Sequence, residues 1–286
     1  MSRCLQHITV EPVLFLFMMA MFIQLPITQM LILRKVCLAE NSHNVCDNLH
    51  LKEYSKVENE VQTQTSHWIL YLQLFAAIPG AFMSLIFGAS SDKIGRKIII
   101  VIPVIGNTIN GILLIIAAYF LEELPIAFLI PGAVVVGFTG SFGTFYIALV
   151  SYIADVTTDE SRTKRLGLLE SMVFLGGTIG LLMTGLVLHV FGFTPVYVLV
   201  VGLQLCILLY VGWILEESLP VSKRIGLTSK DKKLSCIYSL KDSVWTALMV
   251  YFKPRPGNNR KYLLLLQGMT IIGVLCMSGE SIIKET

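Results

Sequence analysis

The stretch "GASSDKIGRK", Gly88 to Lys97, decides how this chain has to be read. Four of its ten residues are charged, in a chain where only 14% are. Apolar runs flank it on both sides, Trp68–Ser90 before and Ile98–Phe120 after. Each is about 20 residues long, the length that crosses a bilayer core as a helix. Working outward, Val13–Leu33, Ile126–Ile153, Leu166–Phe191 and Pro195–Leu215 repeat the pattern, and Tyr262–Ser278 is a shorter seventh run. The composition agrees, with 55% apolar residues and a mean hydropathy of +0.73. No period-2 alternation supports a β-barrel. The fold class is therefore an all-α, multi-pass membrane protein. Val13–Leu33 reads as a true span rather than a cleaved leader, because it is long, follows Glu11 and precedes no small-residue cleavage site.

The basic residues orient the chain. Arg3, the Lys93–Lys97 loop, the Arg162–Arg165 loop and the segment from Lys223 to Lys261 hold 17 Lys and Arg. The loop between spans 1 and 2 holds four, Arg34, Lys35, Lys52 and Lys56, and the alternate later loops hold none. Lys and Arg collect on the cytoplasmic side, so this asymmetry predicts a cytoplasmic N-terminus and an outer loop at 34–67. The expected organisation is a cytoplasmic segment 1–12, a six-span bundle over 13–215, a basic cytoplasmic loop over 216–261 and a seventh span within 262–286. A seven-helix receptor would need the opposite orientation. No Ser/His/Asp grouping, phosphate-binding loop or metal-ligand cluster appears, which argues against an enzyme, a metal site, a cofactor or a nucleic-acid partner.

Within the opening stretch, Gly88, Asp92, Lys93, Gly95, Arg96 and Lys97 fit the pattern G-x-x-x-D-[RK]-x-G-R-[RK]. Charge asymmetry alone accounts for the three bases but not for the acid or the two glycines. Gly88 permits close helix contact, Gly95 a tight turn, and Asp92 can accept hydrogen bonds from a helix N-terminus or from Arg96. Asp92 and Arg96 are the expected working pair of a conformational gate. The stretch resembles the signature loop of the major facilitator superfamily.

Longer stretches carry a narrower resemblance. "EVQTQTSHWILYLQ" (Glu60–Gln73), "ADVTTDESRTKRLGLLES" (Ala154–Ser171) and "YFKPRPGNNRKYL" (Tyr251–Leu263) look like the matching segments of the proton-coupled folate transporter family, solute carrier family 46. The resemblance implies the N-terminal six-helix bundle of a two-bundle carrier plus helix 7, with the second bundle missing. It implies a secondary transporter moving a small organic anion with protons as the coupling ion, in a plasma, lysosomal or endosomal membrane. The alternative is a shortened form or fragment without transport of its own, acting as an interaction partner.

The resemblance also singles out residues. Glu170, in an "LLE" context, matches a carboxylate associated with proton coupling. It is also the most unusual acid within a predicted span, where burial raises a carboxyl pKa. The competing reading sets Glu170 beside Arg162, Lys164 and Arg165 near a helix N-terminus. Asp155 closes span 4, and Thr157-x-x-Glu160 offers a capping box for the turn that follows. Cys46 matches a family cysteine whose partner lies later in the chain; here it is either free or paired with Cys37. Gly140-Ser141 stands where the folate-transporting member has an acid, Ala133 where it has an arginine, and Met277 where it has a histidine. Finally, Gln24, Gln29, Gln73, Asn107, Asn110, Gln204 and Gln267 are uncharged polar groups in spans, which either line a path or bond between helices.

Overall fold

The computed structural model describes residues 9–49 and 51–218, together with Leu265, Gly268 and Met269. The described residues contain helices and no strands. In chain order they are α1 (Glu11–Glu40), α2 (His43–Asp47), α3 (Ser55–Ile94), α4 (Arg96–Tyr119), α5 (Ile130–Phe138), α6 (Ser141–Val156), α7 (Asp159–Phe191) and α8 (Phe193–Trp213). They supply six stretches long and apolar enough to cross a membrane, with α5 and α6 sharing the fourth. These helices belong to a compact unit ending at Gly226, and a second unit begins at Leu227. The expected basic loop and seventh span fall almost wholly outside the described residues; Leu265, Gly268 and Met269 are helical.

α1 is the central post, packing on α7 and α8, while α4 packs on α8 and α6, and α3 on α5. Two apolar clusters fill the bundle, stacked along its length. One gathers Val13, Leu14, Phe17, Ile100, Phe145, Leu149 and Ile207 near the Gly88–Lys97 loop, the motif end. The other gathers Ile27, Leu31, Val36, Leu114, Tyr197 and Val200 near Cys37 and Cys46, the disulfide end. α1 and α7 touch backbone to side: a Cβ on Gly176 would sit 2.5 Å from the Phe15 carbonyl oxygen, and one on Gly180 2.7 Å from that of Met19. Only glycine allows so close an approach, which in lipid replaces the missing hydrophobic drive between helices.

Three features stand out, and the first and third depart from the reading above. The segment 34–67 is largely helix rather than loop. α1 continues to Glu40, and α3 begins at Ser55 and runs 40 residues, about 60 Å at 1.5 Å per residue. Local side-chain bonds such as Gln62 to Glu58 sustain this polar helix, whereas hydropathy registers only the part inside lipid. Second, helices run unbroken through Pro26 and Pro79, while span 4 breaks at Gly140. Gly140 has φ +90° and Ser141 φ +55°, so the chain turns left-handed and α6 restarts. Third, the capping box does not form. The Thr157 hydroxyl donates back to the Ile153 carbonyl, and Thr158 takes the N-cap position of α7.

Candidate functional site

At the motif end, charged groups from four parts of the chain converge. Gly95 separates α3 from α4 with φ +118°, a conformation that favours glycine. A side chain there would also collide with Glu217, whose carboxylate would lie 2.5 Å from its Cβ. That carboxylate has returned from beyond α8 to accept hydrogen bonds from the Arg96 amide (2.9 Å) and the Lys97 amide (3.3 Å). It thereby caps the N-terminus of α4, where unpaired amides and the helix dipole favour an anion. The Arg96 guanidinium donates to Asp155 at the end of α6 over 2.9 Å and also to the Ser91 hydroxyl. Asp155 further accepts from Ser218 at 3.2 Å, and the Lys97 ammonium donates to the Gly212 carbonyl at 2.9 Å. Tyr152 adds a bond to the Glu216 carbonyl at 2.9 Å. Spans 2, 3, 4 and 6 are thus tied at one point. Asp92 and Lys93 lie in the last turn of α3, and their side chains fall outside the described residues.

Beside this knot lies a second one. Glu11, at the start of α1, is 1% exposed and accepts two hydrogen bonds from Arg165 on α7, at 3.0 and 2.7 Å. Its other oxygen accepts from the Thr9 and Val10 amides at 2.8 and 3.0 Å. Arg165 is therefore engaged by Glu11, which corrects the expectation that it sits beside Glu170. The sequence reading used Glu11 only to exclude a cleaved leader; an acid immediately before an apolar run was the available signal for this cap.

Glu170 is exposed on the surface of this bundle rather than buried, because its position on α7 faces away from the core around Leu169. It accepts a hydrogen bond from the Tyr146 hydroxyl on α6. The sequence reading missed Tyr146, which has no local motif. His189 belongs to α7, but its side chain falls outside the described residues.

The disulfide end is built differently. Cys37 and Cys46 form a disulfide that joins α1 to α2. Lys35, 4% exposed, donates to the carbonyls of Leu121 at 2.6 Å, Leu124 at 3.0 Å and Phe120 at 3.4 Å. It thus satisfies the free carbonyls that follow α4, where a cation also meets the negative end of the dipole. Arg34 pairs with Asp47 at 2.5 Å, and His43 lies 3.2 Å from Glu122.

Between the two ends, α1, α3, α4 and α5 line a half-open cavity of about 280 Å³. Five of the seven uncharged polar residues singled out in the sequence meet there: Gln24, Gln29, Gln73, Asn107 and Asn110. Asn107 donates to the Pro103 carbonyl at 2.9 Å, and neighbouring Thr28 shares a hydrogen bond with Tyr197 at 3.3 Å. Ala133 also lines the wall, at the position where the family resemblance expects an arginine. Gln204 lies elsewhere, buried in α8 with its Oε1 unpartnered among the described residues, and Gln267 falls outside them. Among the described residues, no grouping of His, Cys, Asp and Glu has the arrangement of a metal site.

Comparison with known proteins gives one coherent picture. The family description Major Facilitator Superfamily matches residues 12–282. The rat proton-coupled folate transporter is 28% identical over 258 residues, covering 90% of this chain and 53% of that protein. The chicken lysosomal proton-coupled steroid conjugate and bile acid symporter is 26% identical over 281 residues, covering 95% and 59%. The chain thus spans somewhat over half the length of these relatives. Among solved structures, the human organic anion transporter TETRAN superposes with a TM-score of 0.59 at 16% identity, over 89% of this chain and 57% of that one. That likeness establishes the fold.

Proposed function

This chain belongs to the Major Facilitator Superfamily, and we propose that it works as part of a proton-coupled carrier of a small organic anion. The carrying observation is the knot at the motif end. Arg96, Asp155 and Glu217 join the ends of spans 2, 3, 4 and 6 through contacts that are largely ionic and partly solvated. Such contacts are individually modest and reversible, which suits a clamp that closes in one state of a carrier and opens in the other. On this reading the motif end faces the cytoplasm, and the segment directly after α8 contributes Glu217 to the clamp.

Glu170 is the proton-binding group of the proposal. It is a carboxylate within a span, and Tyr146 from the neighbouring span holds it. Intramembrane carboxylates of this kind serve proton relays in many transporters. The relatives supply the solute class, since one carries folate and another steroid conjugates and bile acids. Their membranes frame the location, the lysosome being named for the second.

The test is uptake of labelled folate and of taurocholate into vesicles holding the full chain, under an inward proton gradient. Accumulation that a protonophore collapses, and that Glu170→Gln makes independent of pH, is expected. Absence of gradient-driven accumulation for both solutes would overturn the proposal.

A further inference from the structure

We propose that the cavity among α1, α3, α4 and α5 is a binding site for an uncharged, largely apolar ring system bearing amide, carbonyl or hydroxyl groups. It does not take the charged part of a solute. The inference deepens the transport reading and rests on it only in calling the occupant a solute.

Three observations carry it. The first is the lining. Gln24, Gln29, Gln73, Asn107 and Asn110 converge from three helices onto one space, and no charged side chain among the described residues lines it. Amides present donors and acceptors without net charge, and each can meet a carbonyl, a hydroxyl or a ring nitrogen. A carboxylate placed against this wall would meet neutral amides and no counter-charge among the described residues. Neutral amide hydrogen bonds offset less of a carboxylate's lost hydration than a counter-charge would. The lining therefore suits a neutral polar group better than an anion.

The second observation is the apolar remainder of the wall. Ile32, Ile69, Leu72, Leu114, Leu129 and Val136 supply flat hydrocarbon surface around the polar groups. A few placed polar groups on an apolar wall is the usual make-up of a small-molecule site, with the polar groups fixing orientation. Asn107 is already held by the Pro103 carbonyl, so its carbonyl oxygen is positioned before any ligand arrives. Asn110 is seated against Gly132, where a Cβ would lie 2.2 Å from its Oδ1. Preorganised groups of this kind lose little freedom on binding.

Size is the third. At about 280 Å³ the space falls at the lower edge of drug-sized pockets, about 300–1,000 Å³. It accommodates a fused two-ring body but not a whole folate-sized or steroid-conjugate-sized anion. The anionic tail of such a solute has to lie outside this cavity, against some other surface. Recognition is thereby divided, with the ring body read here and the charge read elsewhere.

A matched pair of probes tests the proposal without requiring transport. 2-Naphthamide and 2-naphthoate share shape and differ in charge; their affinities for the purified full chain in detergent would be measured by equilibrium dialysis at neutral pH. The amide is expected to bind about tenfold more tightly than the carboxylate. Gln29→Leu and Asn110→Leu, each retaining the thermal midpoint of the parent, are expected to weaken 2-naphthamide about tenfold and to leave 2-naphthoate unchanged. The proposal is overturned if the carboxylate binds as tightly as the amide, if neither probe binds, or if neither substitution moves the amide. The comparison of the two probes on the unaltered chain decides the matter even if a variant fails to fold. Amide preference without gradient-driven uptake would remove the transport reading and leave this site standing. Uptake without amide preference would do the reverse.

Discussion

The two ends of the bundle are secured by different chemistry. At the disulfide end, one restraint is covalent, Cys37 to Cys46 nine residues on, and Lys35 is sunk among three neutral carbonyls after α4. At the motif end, restraint is ionic and long-range. Arg96 reaches Asp155, Glu217 reaches back to the Arg96 amide, and Arg165 holds Glu11 from across the bundle. A covalent link survives any rearrangement of the helices. Ion pairs among separate spans exist only while those spans keep their relative positions, so they can distinguish one state from another. On the proposed reading, the motif end switches and the disulfide end anchors.

The largest expected effect comes from Arg165→Ala, which strands the buried Glu11 carboxylate. Removing one member of a buried pair costs about 3–5 kcal/mol, and a fall of that size in denaturant unfolding of the purified chain is expected. A loss under about 1 kcal/mol would show that the pair is as weak as an exposed one and would break the comparison. Next, serine at both Cys37 and Cys46 is expected to cost about 2–3 kcal/mol, given the short span closed. On the anchoring view this variant should leave any pH-driven uptake per folded molecule unchanged; lost uptake at full folding would mean that the disulfide end also switches.

Gly95→Ala ranks third, at about 1–3 kcal/mol, because it meets both an unfavourable φ and the Glu217 carboxylate. Combining it with Glu217→Ala should cost less than the sum of the two changes, since the collision disappears. Strict additivity in that double-mutant cycle would deny the contact. Smallest is Asp155→Asn, about 1 kcal/mol. It keeps an oxygen for Arg96 and Ser218 but removes the charge, and the pair is partly exposed. Its loss should shrink as ionic strength rises, read from the same unfolding midpoints with and without added salt.

Much of this architecture was legible in the sequence because the bilayer imposes a length scale. Six apolar runs near 20 residues became six spans, and the charged interruption at Gly88–Lys97 became the α3–α4 junction. The partners of that junction were not legible. Glu217 lies 121 residues from Arg96, and no local pattern announces that it returns to cap α4. Gly137, Gly140 and Gly143 look alike in sequence, yet only Gly140 adopts a left-handed backbone and divides the fourth span. The five cavity amides were each noticed singly. Their convergence depends on the rotation of three helices about their own axes, and hydropathy carries no information on rotation in so uniformly apolar a chain. Glu170 was singled out by its residue type within a span, but its partner Tyr146, 24 residues away on the neighbouring helix, was not legible, since no local pattern announces it.

Lys35 gives the disulfide end a chemical asymmetry that can serve as a clock. Lys52 and Lys56 stand exposed to water at the same end, while the Lys35 amine is enclosed and committed to carbonyl oxygens. A water-soluble acylating reagent therefore modifies the first two at once. It reaches the third only when α1 and the segment after α4 part company. The ratio of those rates reports how often this end opens.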